Sequence, residues 1–340
     1  MSAPGPVLPV LPADLTPEQA RAVIVGVLLD GLDPEQDPPR SAVPVPAGEL
    51  LLMPAVGAAH VGVKIAGVVP GNPGRGLPRI TGGYLLLDGP TLRPLALLDA
   101  AALTALRTPA VTAAALDRLA DPAAAHLVLF GAGPQAHGHL AALCAIRALD
   151  RVTVVARRAG PSAALLARAR ALGLRAEAGR PDAVARADLV VCCTSSGQPL
   201  FDGALVPDHA VVAAIGAHRP RARETDTALV RRAACYVEAR SAARREAGDL
   251  LLPWAEGEGP GPDGWANLAE LLTSRAPVPG DRPRLFKGVG MAWQDLALAA
   301  ALHRRAVTGA GSAGQPRSVD LEAAGADHVV TEAGLHRAVE

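Results

Sequence analysis

The sequence predicts an α/β protein in which a doubly wound parallel sheet accompanies a second unit of mostly antiparallel strands. Two contrasting textures carry that expectation. From Asp121 onward, HLVLF, RVTVVA, ADLVVCCT, HAVVAAIGA and ACYVEA are almost purely apolar runs of strand length alternating with helical stretches, as parallel strands covered on both faces require. From Asp33 to Pro94 the runs SAVPVP, ELLLMPA, HVGVKIAGVV and ITGGYLLLDG are broken by Pro and Gly and read as antiparallel strands. At 340 residues the chain is long enough for two cores.

Thr16 to Gly31 reads as a helix, with Thr16 as N-cap, Pro17 at the first helical position, Glu18 in the first turn and Gly31 as the stop. After the first strands, a helix is expected from Leu98 to Leu119, interrupted at Pro109, which cannot donate a backbone hydrogen bond. A strand from His126 to Phe130 leads through a glycine turn into a helix from Gln135 to Leu149. A strand from Arg151 to Ala156 and a helix from Ser162 to Leu172 follow. The segments Glu256 to Gly264 and Ala276 to Arg284 are Pro- and Gly-rich connections. A last helix, Met291 to Val307, begins after the parallel sheet is complete and is expected to pack back on the first unit. The small, polar tail from Thr308 is expected to be poorly ordered.

Acidic and basic residues balance at 33 each and only eight residues are aromatic, so the chain offers neither the electrostatic footprint nor the stacking surface of a nucleic-acid binder. A small-molecule partner is expected instead. The opening MSAPGPVLPV lacks the basic start and apolar run of a signal peptide, and no stretch has the length of a membrane span. Cys144, Cys192, Cys193 and Cys235 match neither zinc nor disulfide spacing, so a cytoplasmic protein without a metal is expected, with Cys192 and Cys193 as small residues of a buried strand. Thirty-one of the 33 basic residues are Arg. The two lysines, Lys64 and Lys287, therefore stand out, because a buried ammonium can shift its pKa and release a proton where guanidinium cannot.

LVLFGAGPQAHGHL places Gly131, Gly133 and Ala136 in the G-x-G-x-x-A spacing between a strand and a helix. Gly131 permits the tight turn, Gly133 lets backbone N–H groups approach a pyrophosphate, and Ala136 lets the helix lie close to the strand. Pro134 and Gln135 in this turn, and Thr194 and Ser195 after ADLVVCC, join the cofactor candidates. The second strand ends in VTVVARRAG with no carboxylate for ribose hydroxyls. Arg157 and Arg158 there can pair with a 2′-phosphate, so NADPH is preferred and NADH remains possible; the alternative is two solvated loop arginines. His137 and His139 read as surface residues, and Glu224 and Asp226 as caps of the helix that starts at ALVRR.

PRSAVPVP, LLMPA, GVKIAGVVPGNPGRGLP, ITGGYLLLDG, LTALRTPAVTAAAL, FGAGPQA, AIGAHRPRARETD and FKGVGMAWQDLALA occur in that order. On these stretches the chain resembles the ornithine cyclodeaminase and mu-crystallin family from its first helix to its last. The resemblance implies a substrate and dimerisation domain with antiparallel strands, built from residues 1–120 and 291–340, into which a Rossmann domain of residues 121–290 is inserted, and a homodimer. It also implies that Arg40, Lys64 and Arg107 hold a substrate carboxylate near the nicotinamide, which suits the geometry of guanidinium forks and a lysine point charge.

Two departures set the expected activity. Cyclodeaminases acting on ornithine or lysine resemble one another at GGDCPGKTEL, but His218 stands here where their Asp would be, and Arg79 replaces a substrate-loop threonine. The RP-x-x-RE-x-D pattern resembles the branch that reduces cyclic ketimines. The implied reaction is NAD(P)H-dependent reduction of Δ1-pyrroline-2-carboxylate or Δ1-piperideine-2-carboxylate to proline or pipecolate, with Lys64, His218 or a bound water supplying or holding the proton. The alternatives are a cyclodeaminase, an open-chain amino-acid dehydrogenase or condensing synthase, and a non-catalytic NADPH-binding protein.

Overall fold

The computed structural model describes residues 8–309 and 318–319. The tail expected to be poorly ordered therefore lies largely outside the described residues. Strand β1 (Leu8–Leu11) precedes helix α1 (Pro17–Leu29), whose Thr16 hydroxyl accepts from Gln19 N–H while the Gln19 side chain returns the bond to the Thr16 N–H. Next come β2 (Ser41–Val45), β3 (Gly48–Val56), β4 (His60–Val68) and β5 (Ile80–Asp88), the strands expected from the broken apolar runs, and then β6 (Pro94–Asp99), which was not expected and which takes in Leu98, where a helix was expected to begin. They form a seven-stranded sheet in the order β15-β1-β6-β5-β4-β3-β2, where β15 is Ser318–Val319. Every pairing in it is antiparallel except the parallel β1–β6 contact.

Helix α2 (Ala100–Leu119) corrects the expected break: it runs unbroken through Pro109. The reason is packing. Helix α3 (Pro134–Cys144) lies so close that a Cβ at Gly138 would come within 2.7 Å of Pro109 Cγ and 3.2 Å of the Ala105 carbonyl, the acceptor Pro109 cannot use. Helix α3 in turn stops short of the expected Leu149. The Arg147 guanidinium reaches back to the carbonyls of Asp117, Ala120 and Asp121 and to the Asp117 carboxylate, capping α2 at the expense of further α3 turns.

The rest builds the parallel sheet: β7 (His126–Phe130), β8 (Arg151–Val155), α4 (Ala159–Ala171), β9 (Arg175–Ala178), β10 (Leu189–Cys192), β11 (Val211–Ala214), α5 (Thr227–Arg232) and β12 (Ala234–Val237). Helices α6 (Arg240–Glu246) and α7 (Gly248–Ala255), strand β13 (Ala266–Asn267), helix α8 (Leu268–Leu272), strand β14 (Arg284–Lys287) and helix α9 (Ala292–Gly309) complete it. The order β13-β12-β14-β11-β10-β7-β8-β9 is parallel throughout and reverses direction between β7 and β10, so a crevice opens there at the carboxyl ends of the strands. Strand β14, which has no apolar run to announce it, inserts between β11 and β12. As expected, α9 returns to the first sheet, packing on β3, β4, α1 and α2. No helix among the described residues is long and apolar enough to cross a membrane.

Candidate active site

The glycine turn sits at the mouth of the crevice. Gly131 has φ +106°, and a Cβ there would lie 2.8 Å from the Cys193 carbonyl at the end of β10, so neither the conformation nor the space suits another residue. Ala136 is fully buried, where a small side chain lets α3 approach the sheet. Gly133 faces open space beside a cavity of about 500 Å3 lined by Ala132, Gly133, Pro134, His137, Pro161 and Arg168. A Cβ-free face and a helix N-terminus opening on such a cavity fit a pyrophosphate. Arg157 and Arg158 lie exposed at the carboxyl end of β8 and form no ion pair with the described residues. Thr194 follows β10 across from the turn, and its neighbour Ser195 is exposed.

A cluster of buried cations lies next to this turn. Lys64 on β4 is 3% exposed and pairs with the fully buried Asp295 of α9 at 2.7 Å. Arg107 on α2 is 6% exposed. Its Nη1 donates to Gln294 Oε1 at 2.9 Å and its Nε stands 3.7 Å from Asp295 Oδ1. Arg40, just before β2, donates to the Val289 and Gly290 carbonyls and pairs with Glu246. Gly290 lies between the two arginines: its carbonyl binds Arg40, and a Cβ on it would strike the Arg107 guanidinium at 2.5 Å. Glu238 fixes this bend by accepting from the N–H groups of Val289 and Gly290 and from the Gln294 amide, so that Gln294 turns its oxygen to Arg107.

Thr104 connects the two regions. Its hydroxyl is 3.3 Å from Lys64 Nζ, and its carbonyl accepts at 3.4 Å from Gln135, in the first turn of α3. Burial lowers the Lys64 pKa from 10.5 to about 8; Asp295 opposes this, while Arg107 and Arg40 add to it. His218, half-buried in the loop after β11, falls to about 4 through burial and the field of Arg40, so its imidazole is neutral at neutral pH.

Some residues lie elsewhere than the sequence suggested. Arg79 is exposed in the β4–β5 connection, one residue beyond the Val68–Ile80 pair, and so sits five positions along the chain from Tyr84, the partner of Lys64. His139 is no surface residue: it is fully buried against α2, its Nε2 3.0 Å from the Thr112 hydroxyl. Asp226 does cap α5, through Leu229 N–H, but Glu224 does not; it is fully buried and accepts from Thr194, Gly216 and Ala217. The sequence reading also missed Asp295, Gln294 and Glu246. A Gln-Asp pair heading the apolar stretch LALAAAL was the available signal for the first two, because polar groups there need buried partners.

A doubly wound sheet with a glycine turn at its switch point, beside buried cations, defines the class of nicotinamide-dinucleotide-binding oxidoreductases. Residues 28–310 match the ornithine cyclodeaminase/mu-crystallin family, and the chain belongs to it. Among its relatives is the NAD(P)H-dependent anabolic L-arginine dehydrogenase DauB of Pseudomonas aeruginosa, 37% identical over 67% of this chain and 72% of that protein. The Δ1-pyrroline-2-carboxylate reductase 2 of Burkholderia ambifaria is 36% identical over 76% of this chain and 82% of that one. The structure of the iminosuccinate reductase of Paracoccus denitrificans with NAD+ matches at a TM-score of 0.82 and 26% identity, over 92% of this chain and 100% of that one.

Proposed function

We propose that this chain is an NADPH-preferring reductase of a cyclic 2-imino acid, Δ1-pyrroline-2-carboxylate or Δ1-piperideine-2-carboxylate, yielding proline or pipecolate. It is an NAD(P)H-dependent oxidoreductase acting on a C–N bond, in a family that includes reductases of that substrate. The observation that supports the reading most is Thr104, touched by Lys64 on one side and by the helix of the glycine turn on the other. A carboxylate gripped by Arg40, Lys64 and Arg107 then lies one residue away from the dinucleotide turn.

NAD(P)H, when bound, supplies the hydride for the imine carbon. The backbone at Gly131 and Gly133 and the start of α3 hold its pyrophosphate, and Thr194 and Ser195 line the opposite wall. Arg40 and Arg107 orient the substrate carboxylate through their planar forks, which fixes the C=N bond in place of free tumbling. Lys64 carries a proton at neutral pH with a pKa close to the working range, as a general acid needs. His218, neutral at that pH, serves as a hydrogen-bonding partner, leaving the proton to the lysine.

Three finer features belong to the same proposal. NADPH is preferred because Arg157 and Arg158 stand exposed and without ion-pair partners among the described residues where a 2′-phosphate would arrive. The enzyme is a homodimer joined through the first sheet, whose outer face carries Leu52, Val61, Val63, Ile65, Leu85 and Leu97, with Ile65 exposed and the other five partly exposed. It is cytoplasmic, in keeping with four free cysteines. Domains of residues 1–120 with 291–340 and of residues 121–290 are the division that goes with this reading.

The test is NADPH oxidation at 340 nm with the two cyclic imines, with pyruvate plus ammonia, with the 2-oxo acid of arginine plus ammonia, and ornithine with NAD+. Turnover of a cyclic imine is expected. Turnover of the arginine-derived acid alone would establish the second reading, an open-chain amino-acid dehydrogenase, which the similarity to the L-arginine dehydrogenase favours. Ammonia release from ornithine without net cofactor change would refute both.

A further inference from the structure

Lys287, the second lysine of the chain, ends β14 beneath the crevice and is 1% exposed. Its Nζ stands 2.9 Å from Asp249 Oδ2 and donates to the carbonyls of Ala214 and Ala217. The other oxygen of Asp249 accepts from the N–H groups of Glu224 and Thr225, at 2.7 and 2.8 Å. Held from below in this way, Glu224 sends its carboxylate back up between two loops. Oε1 accepts from the N–H and the hydroxyl of Thr194, at 2.8 and 2.7 Å, and Oε2 from the N–H groups of Gly216 and Ala217, at 2.6 and 3.3 Å.

These loops follow β10 and β11 and form the wall of the crevice opposite the glycine turn. They are already pressed together, since a Cβ at Gly216 would lie 2.0 Å from the Thr194 carbonyl oxygen. Closing them needs no charge. Burying a carboxylate, with a second carboxylate and a lysine beneath it, is costly, and in some proteins such buried polar groups fix one conformation among several compact ones. Four donors drawn onto two oxygens fix the Thr194 and Gly216 backbones at once, and His218 hangs two residues further along the second loop.

We propose that Glu224 is a positioning residue: braced by Asp249 and Lys287, it sets the β10 and β11 loops against the nicotinamide half of the dinucleotide. The adenine half is served by β7 and β8 on the other side of the turn and is independent of it. The role rests on the reductase reading only where turnover is measured.

The test substitutes Glu224→Gln, which keeps the shape but turns an amide donor toward N–H groups. Because a lost charge-assisted hydrogen bond is worth about tenfold or more, kcat is expected to fall by about that factor, with the KM for the imine nearly unchanged. The emission enhancement of bound NADPH, which reports an immobilised nicotinamide, should fall with it, while the affinity for 2′-phospho-ADP-ribose stays constant. Thr194→Val, which removes one donor and leaves the carboxylate, should give the same split at smaller amplitude if the first variant folds poorly. Unchanged emission and kcat would overturn the proposal, as would a loss of affinity for 2′-phospho-ADP-ribose alongside the NADPH emission, in step with Tm. The binding measurements use no imine. A wild-type protein that turned over none of the substrates would refute the reductase reading, whereas selective loss of NADPH emission in Glu224→Gln would still uphold the positioning role.

Discussion

Asp295→Asn tests the electrostatics of the cation cluster most directly. Asp295 Oδ2 lies 2.7 Å from Lys64 Nζ, Oδ1 lies 3.7 Å from Arg107 Nε, and the carboxylate has no solvent exposure. The fall of the Lys64 pKa from 10.5 to about 8 means that the ammonium is disfavoured by about 3 kcal/mol relative to water, even with Asp295 in place. The amide would leave burial, Arg107 and Arg40 acting together. An adjacent opposite charge typically moves a pKa by about 1 to 3 pH units, so Lys64 in the variant should titrate below about pH 7 and be mostly neutral at pH 7.5. With Lys64 as the proposed acid, the alkaline limb of kcat/KM should move from near 8 to below 7. At pH 7.5 the rate should fall about tenfold. The chain has only two lysines, so labelling with 13Cε-lysine yields two resonances, one assigned by its loss in Lys64→Met. A Lys64 resonance that titrates near 10.5 in the native protein, or that Asp295→Asn leaves in place, would refute the reasoning. The stability sign follows from the same shift: the unfolded chain binds more protons between about pH 8 and 10.5. The Lys64 contribution to stability is therefore fully recovered above 10.5 and lost as the pH falls to about 8.

Lys64→Met should lower kcat by about a hundredfold or more while dinucleotide affinity, measured by calorimetry, stays nearly constant; loss of both would mark a structural role. Replacing Arg157 and Arg158 by Ser should raise the KM for NADPH by about tenfold or more and leave that for NADH alone, because charge-assisted bonds to a 2′-phosphate are lost; equal effects would refute the assignment. Gly131→Ala places a Cβ at φ +106° and 2.8 Å from a carbonyl, and should cost about 1 to 3 kcal/mol in denaturant unfolding and impair dinucleotide binding. His218, depressed from 6.5 to about 4, contributes stability present above pH 6.5 and lost as the pH falls toward 4, so His218→Asn should flatten urea stability across that window.

The sequence by itself determined the parts of this protein governed by neighbours along the chain. Strand-length apolar runs specified β7, β8, β10, β11 and β12. The Thr16 cap and Pro17 specified the start of α1, and glycine spacing specified the turn where the parallel sheet opens. These rest on local dihedral freedom and on periodicity, which a chain carries in its order of residues. Tertiary structure decided the rest. Pro109 breaks no helix because Gly138 lets α3 close over it, His139 is buried because α2 covers it, and β14 is a strand because β11 and β12 flank it. The carboxylates that complete the two buried charge clusters come from far along the chain: Asp295 reaches Lys64 across 231 positions, and Glu224 reaches Thr194 across 30. A side chain's charge is written in the sequence, but whether it is desolvated and what faces it depend on which distant segments pack there, and only the folded chain fixes that.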